Sequence, residues 1–231
     1  MAARVRRSDR RTDALSRERI VGAAVELLDS AGAGGLTFRA LTERLATGPG
    51  AIYWHLANKD ELLAAATEGV VAAVLAVEPD GSRSPREEIR AVALGLFEAV
   101  AAHPWLATQL AVQLARSPWG SVAPWIFERI GRQVRALGIP EQSWFMATSA
   151  LVHYVLGAAS QNATNGRVPL PGSSRAEFMD RVATAWAELD ADDFSFTRAV
   201  ADQVRDHDDR EQFLAGVDFL LRGIMTRRGT R

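Results

Sequence analysis

Side chains able to attack a bond or hold a metal are scarce and scattered in this 231-residue chain. There is no cysteine, which removes disulfides, thiolate metal sites and thiol nucleophiles. No Gly-x-Ser-x-Gly, P-loop or His-Glu-x-x-His string occurs. Asp206-His207-Asp208-Asp209 has the residue types for a cation, but it reads as a solvated helix boundary. Gly32-Ala33-Gly34-Gly35 follows no strand, so it fails as a dinucleotide fingerprint. The pattern calls for no cofactor and no metal, and an enzyme is not expected.

Binding chemistry is better represented. Two short helices are expected at about 38–46 and 49–55, joined by Ala46-Thr47-Gly48. A three-residue turn with glycine between two short helices is the helix-turn-helix arrangement. Its second helix is narrow enough for a major groove about 12 Å wide. If Leu41, Leu45, Ile52, Leu56 and Leu62 face inward, the second helix presents Pro49, Gly50, Tyr53 and Trp54 or His55. The same spacing also suits a plain helical core with the aromatics packed inside.

The elements around this unit are helical too. Apolar residues recur at helical spacing from residue 16 onward, without β alternation, so the expected class is all-α. A first helix spans about 17–31, with Ser16 as cap, Ile20, Ala24, Leu27 and Leu28 on one face, and Gly32, Gly34 and Gly35 as stops. Thr37 caps the second helix, and Leu36 and Leu41 have staple spacing. Pro49 suits the first position of the third helix. Asn58 and Glu61, Ser84 and Glu87, and Ser174 and Glu177 have capping-box spacing. Helices follow at about 59–77, 84–102, 105–116, 122–137, 141–163, 174–189, 196–205 and 210–226. Residues 78–84 read as a linker and 164–173 as a loop.

Net charge is −1, but it is unevenly spread. Residues 1–64 carry ten Lys+Arg against eight Asp+Glu. Lys59 is the only lysine, beside 26 arginines. A mildly basic head on an acidic body suits contact with DNA through one small part, and equally suits an ordinary solvated surface. No run approaches the roughly 20 apolar residues that span a bilayer. The N-terminal arginines are not followed by an apolar run of about 7–15 residues, so no signal peptide and no membrane partner are expected. The chain reads as cytoplasmic.

The string from Leu36-Thr37-Phe38-Arg39 through Tyr53-Trp54-His55-Leu56-Ala57-Asn58-Lys59 to Leu62-Leu63 closely resembles the DNA-binding segment of the tetracycline-repressor (TetR) family. The resemblance is strong over residues 16–76 and architectural beyond. The run from Phe213 to Ile224 resembles the last helix of the tetracycline-repressor branch. This implies a flexible Arg-rich arm at 1–15, a three-helix DNA-binding head at 16–63, and a larger helical ligand-binding and dimerisation domain at 64–231. It implies a ligand-responsive repressor that binds a palindromic double-stranded operator as a homodimer and is released by a small-molecule inducer. Thr37 and Arg39 match positions that meet phosphate or a base edge, and Thr47 matches a phosphate contact. Tyr53 and His55 match backbone contacts, with Trp54 between them on the DNA-facing turn. Lys59 matches a phosphate-binding lysine, where an ammonium adds to free helix N–H groups. Gly48-Pro49-Gly50-Ala51 departs from the larger polar residues common there. Specificity would then rest more on Arg39, Thr37 and DNA shape, with close backbone approach at Gly50. Arg4, Arg6, Arg7, Arg10 and Arg11 could follow phosphates or enter the minor groove.

By the same resemblance, helices at about 141–163 and 210–226 would pair across a two-fold axis. The effector would sit among aromatic and polar residues of the body. Candidate contacts are His103, Trp105, Gln109, Gln113, Trp125, Trp144, Phe145 and His153. Mostly apolar walls with few polar groups describe a small-molecule pocket, and also an ordinary core. Six tryptophans favour a flat, aromatic, antibiotic-like ligand. His103-Pro104 would be the lever, because a broken helix can move.

Overall fold

The computed structural model describes residues 15–76, 81–165 and 174–226. Twelve α-helices and one 3₁₀ turn lie among them, with no strand. The expected all-α class holds, with a helix-turn-helix near the N-terminus and a larger helical body after it. No described helix is long and apolar enough to cross a membrane. The Arg-rich arm, to residue 14, and the 166–173 part of the expected loop lie outside the described residues.

Helix starts follow their caps. Ser16 Oγ accepts from Arg19 N at 3.3 Å and opens α1 (Arg17–Gly35). Ile20, Ala24 and Leu28 form its buried face. The expected end near Ala31 is a break rather than a stop: Gly32 takes φ +64° and ψ −174°, and helical turns resume to Gly35. That conformation is essentially closed to residues with a Cβ. Thr37 Oγ1 accepts from Ala40 N at 3.1 Å and caps α2 (Phe38–Leu45). Leu36 and Leu41 are fully buried, as a staple requires. Pro49 begins α3 (Pro49–Tyr53), which is shorter than expected, with Trp54 as its terminal cap. Asn58 Oδ1 accepts from Glu61 N at 2.9 Å to start α4 (Lys59–Leu75). Glu61 reaches back to the N–H of Ala57, also at 2.9 Å.

The chain divides into two compact units. The first holds residues 15–76 and 103–125, which adds α6 (Trp105–Arg116) and the start of α7 (Val122–Ala136) to the first four helices. Helix α1 packs on α2, α4 and α6, and α4 packs on α6. Ile20, Leu41, Ile52, Leu62, Leu106 and Leu110 are fully buried there. Each such side chain contributes about 1.5–3 kcal/mol.

The second unit holds residues 81–102, 126–165 and 174–226. Helices α5 (Pro85–Ala102) and α12 (Asp209–Thr226) pack on α8 (Trp144–Asn165). Phe97 stacks on Phe213 at 4.4 Å, and Phe213 on Tyr154 at 5.8 Å. Tyr154 Oη donates to the Phe213 carbonyl at 3.0 Å. Burial pushes the Tyr154 phenol up from its ordinary value. Gly216 makes this possible, since a Cβ there would lie 1.9 Å from Tyr154 Oη. The carboxylate of Asp218 accepts from Arg86 at 2.9 Å and from Arg90, tying α12 to α5.

Two expected helices differ in detail. The one expected from residue 141 enters through a 3₁₀ turn, Glu141–Ser143, because extended Pro140 directs its carbonyl to Ser143 N. The one expected at 196–205 is split at Val200 into α10 (Ser195–Ala199) and α11 (Ala201–Arg205). Helix α11 packs on α9 (Arg175–Ala187) with Ala201 buried. Phe196, which a continuous apolar face would bury, stays exposed.

Candidate nucleic-acid interface

The helix-turn-helix divides its residues sharply between core and solvent. Ile52 and Leu56 are buried, which turns the other side of α3 outward. Tyr53 is 50% exposed and Trp54 87% exposed. Exposure at this level rules out the alternative of a plain core with the aromatics inside. Trp54 gives up most of its burial energy at this exposure, and Tyr53 about half.

Tyr53 is also held. Its ring lies on Phe38 at 4.3 Å with planes 12° apart. Phe38 was not among the expected site residues. Its place directly after the Thr37 cap is the signal that could have found it. The stack fixes the Tyr53 ring from α2 and leaves its hydroxyl free of any packing requirement.

The neighbouring polar groups are partly satisfied within the first unit. Thr37 Oγ1 spends its acceptor on Ala40 N, which leaves its O–H able to donate outward. Arg39 Nε donates to Glu43 at 2.9 Å one turn on, at an exposed position. The Glu43 hydrogen bond and charge hold the guanidinium above its ordinary pKa. Lys59 Nζ donates to the Ala33 carbonyl at 2.6 Å, which joins the start of α4 to the turn after Gly32. An ammonium has three donors, so this contact leaves two. Thr47 and His55 are half-buried beside α3, and Pro49 and Gly50 are exposed at its start. No side chain would crowd a Cβ at Gly50 within 4 Å. The arrangement therefore gathers Thr37, Arg39, Thr47, Pro49, Gly50, Tyr53, Trp54, His55 and Lys59 on the two helices, their turn and the next helix start. It offers donors and a cation, as a polyanion needs.

The residues expected to line an effector pocket do not come together as one set. His103 Nδ1 and Trp105 Nε1 both meet Asp29 Oδ1 of α1, at 2.8 and 2.7 Å. Trp105 is only 5% exposed, so its indole N–H is committed to that carboxylate. Gln109 and Gln113 line a cavity between α4 and α6 with Asp60, Glu68 and Trp119. Trp125 is exposed and outside that cavity. In the second unit, Trp144 Nε1 donates to the Ile139 carbonyl at 2.7 Å, under the Arg135 guanidinium. Phe145 lies on Phe127 with most of its ring exposed, and His153 is exposed on α8. A further cavity in that unit, between Phe178, Trp186 and Val204, contains none of the expected residues. No group of three or more His, Asp or Glu among the described residues could hold a metal ion.

Comparison with known proteins agrees with this geometry. Residues 20–66 match bacterial regulatory proteins of the tetR family. Residues 78–228 match the tetracyclin repressor-like C-terminal domain. The solved transcriptional regulator SCO7222, a TetR from Streptomyces coelicolor, is 64% identical, with a TM-score of 0.85 over 93% of this chain and 99% of that one. The Streptomyces coelicolor TetR family protein ActR, solved in complex with actinorhodin, is 25% identical, with a TM-score of 0.75 over 94% and 99%. An HTH-type transcriptional regulator of Saccharopolyspora erythraea is 33% identical over 63% of this chain, and the match spans only 60% of that regulator's length. With a capped helix-turn-helix that turns Tyr53 and Trp54 to solvent and a helical body matching the C-terminal domain, the chain belongs to the tetR family of bacterial regulatory proteins.

Proposed function

We propose that the chain is a ligand-responsive repressor that binds a palindromic DNA operator as a homodimer and leaves it when a small molecule binds. The observation that carries this is the exposed Tyr53-Trp54 turn, fixed by Phe38 and flanked by outward donors. Thr37, Thr47, Tyr53, His55 and Lys59 would position the head on phosphates, with Trp54 beside them. Arg39 would exchange Glu43 for a base edge, where guanine O6/N7 accepts both guanidinium arms and discriminates by about 1–3 kcal/mol. Pro49 and Gly50 would allow close backbone approach where side chains cannot read bases.

Dimerisation is supported by an open face on α8 and α12. Met146 and Phe219 are each 67% exposed and border a groove with Ala150, Leu220 and Gly223. Nothing lies within 4 Å of a Cβ built on Gly157 or Gly223, so both helices present small residues outward. A second copy covering this face would set two recognition helices about 34 Å apart, or nearby multiples. Release would follow from linkage: an effector weakens DNA binding by its preference for the non-binding arrangement, commonly about 1–3 kcal/mol. Near-complete release needs roughly 5.5 kcal/mol. The relative bound to actinorhodin supports a flat aromatic effector class.

Fluorescence anisotropy with duplexes from the DNA flanking the gene tests this. The expected result is two chains per palindrome, with log affinity falling linearly with log salt. Equal affinity for scrambled duplexes would remove the repressor reading.

A further inference from the structure

The cavity between α4 and α6 measures about 440 Å³ and lies wholly within the unit that carries the helix-turn-helix. That volume is in the range of small-molecule sites, about 300–1,000 Å³. Its α6 wall carries Gln109 and Gln113, one turn apart, and its α4 wall carries Asp60, Leu63 and Glu68. Gln113 Nε2 is buried and finds no hydrogen-bond acceptor among the described residues. Leaving such a donor unpaired is costly, and buried polar groups in folded proteins are nearly always paired.

The rest of the wall indicates what would satisfy it. Glu68 is already engaged, by the Ser121 hydroxyl and by the Arg17 guanidinium at 3.9 Å. The unmet demand is therefore for an acceptor opposite Gln113. Asp60 and Glu68 face the same space against one guanidinium, Arg116, so the lining keeps a net negative charge that disfavours an anion, and a neutral acceptor fits it best. A carbonyl meets that requirement. Trp119, 82% exposed on the loop after α6, places a flat apolar ring at the rim.

We propose that this cavity is the effector site and that its ligand is a neutral, flat, carbonyl-bearing molecule. Its carbonyl accepts from Gln113 Nε2, and its ring lies on Trp119. The effector role rests on the repressor reading above; the site itself does not. Asp60 lies in the first turn of α4, beside Lys59, and Leu63 begins the next, so a ligand here bears directly on a helix of the DNA-binding head.

Equilibrium dialysis of the full chain with flavone, a flat neutral molecule with one ring carbonyl, tests the site. One saturable site per chain is expected. Gln113→Leu and Trp119→Ala should each weaken it at least fivefold, while Phe178→Ala, in the cavity of the second unit, should leave it unchanged. Gln113→Leu should also raise the melting temperature of the free protein, because it removes an unpaired buried donor; this shows that the variant folds. No saturable binding, or binding indifferent to Gln113→Leu, overturns the proposal. DNA affinity is read separately on the same samples. Flavone should loosen the wild-type complex and not that of Gln113→Leu. Flavone bound through Gln113 by a chain that binds no DNA sinks the repressor reading and leaves the site. A sequence-specific DNA complex with flavone indifferent to Gln113 does the reverse.

Discussion

Gly216→Ala tests the packing of α12 on α8 with a single methyl group. A Cβ at this position would lie 1.9 Å from Tyr154 Oη, 2.3 Å from Cζ and 2.9 Å from Cε2, whereas ordinary contact begins near 3.4 Å. The tyrosine ring must retreat by at least about 1.5 Å, the difference between the first and last of those distances. Retreat breaks the hydrogen bond to the Phe213 carbonyl, worth about 0.5–1.5 kcal/mol net. It also disturbs the stack on Phe213, worth about 0.5–1.5 kcal/mol beyond its area. Overpacking adds about 1–3 kcal/mol. Alanine returns about 1 kcal/mol through helix propensity. The net loss is about 3 kcal/mol. For a chain of this size about 2–4 °C accompanies each kcal/mol, so the melting temperature should fall by roughly 6–12 °C. Thermal unfolding followed by circular dichroism reads the shift directly. Combining Gly216→Ala with Tyr154→Leu removes the obstructing ring, so the pair should be less destabilised than the sum of the singles by at least about 1 kcal/mol. Gly22→Ala, in α1, meets nothing within 4 Å and serves as the open-space control. A Gly216→Ala protein that melts within about 2 °C of wild type, a loss under about 1 kcal/mol, would refute the close approach.

Three further outcomes are expected. Lys59→Ala should weaken DNA binding across all sequences and reduce the salt slope by about one per head, as read by anisotropy at several salt concentrations; an unchanged slope assigns Lys59 only to the Ala33 carbonyl. Asp29→Ala strips the buried Trp105 indole and His103 of their shared acceptor and should cost about 1–3 kcal/mol in urea unfolding, with Asp29→Asn milder because an oxygen acceptor remains. Burial raises the Asp218 pKa, but the hydrogen bonds and charges of Arg90 and Arg86 outweigh it and hold the carboxyl below its ordinary value. Its stabilising effect is therefore present above about pH 4, the ordinary carboxylate value, and is lost as pH falls through the lower folded value. Asp218→Asn should lower the melting temperature at neutral pH, and the difference from wild type should close in acid.

Features set within a few residues were legible before the fold. Ser16, Thr37, Asn58 and Ser174 all cap as expected, because a cap needs only its own next turn. The spacing of Ile52 and Leu56 suits an inward face but equally suits a core holding the aromatics; the resemblance favours the first, and their burial with Tyr53 and Trp54 outside agrees with it. What was missed depends on partners distant in sequence. Asp29 sits 74 and 76 residues from the two rings it holds, and no periodicity announces that pairing. The type of Trp105 suits a pocket wall, whereas the Asp29 carboxylate of α1 holds its N–H. Gly157, Gly216 and Gly223 look alike in sequence, yet of the three only Gly216 would set a Cβ against a neighbour among the described residues. Local propensity keeps residues 196–205 as one run, whereas the chain breaks at Val200 and packs α11 on α9.

The solitary lysine has a practical consequence. Acetylating or fluorophore-bearing reagents aimed at side-chain amines find one address in the whole chain, Lys59, and that address lies at the join between the turn after Gly32 and the start of α4. Its acylation rate is thus a built-in gauge of that join: slow while the ammonium rests on the Ala33 carbonyl, faster whenever the head opens, and readable by mass spectrometry without engineering a label.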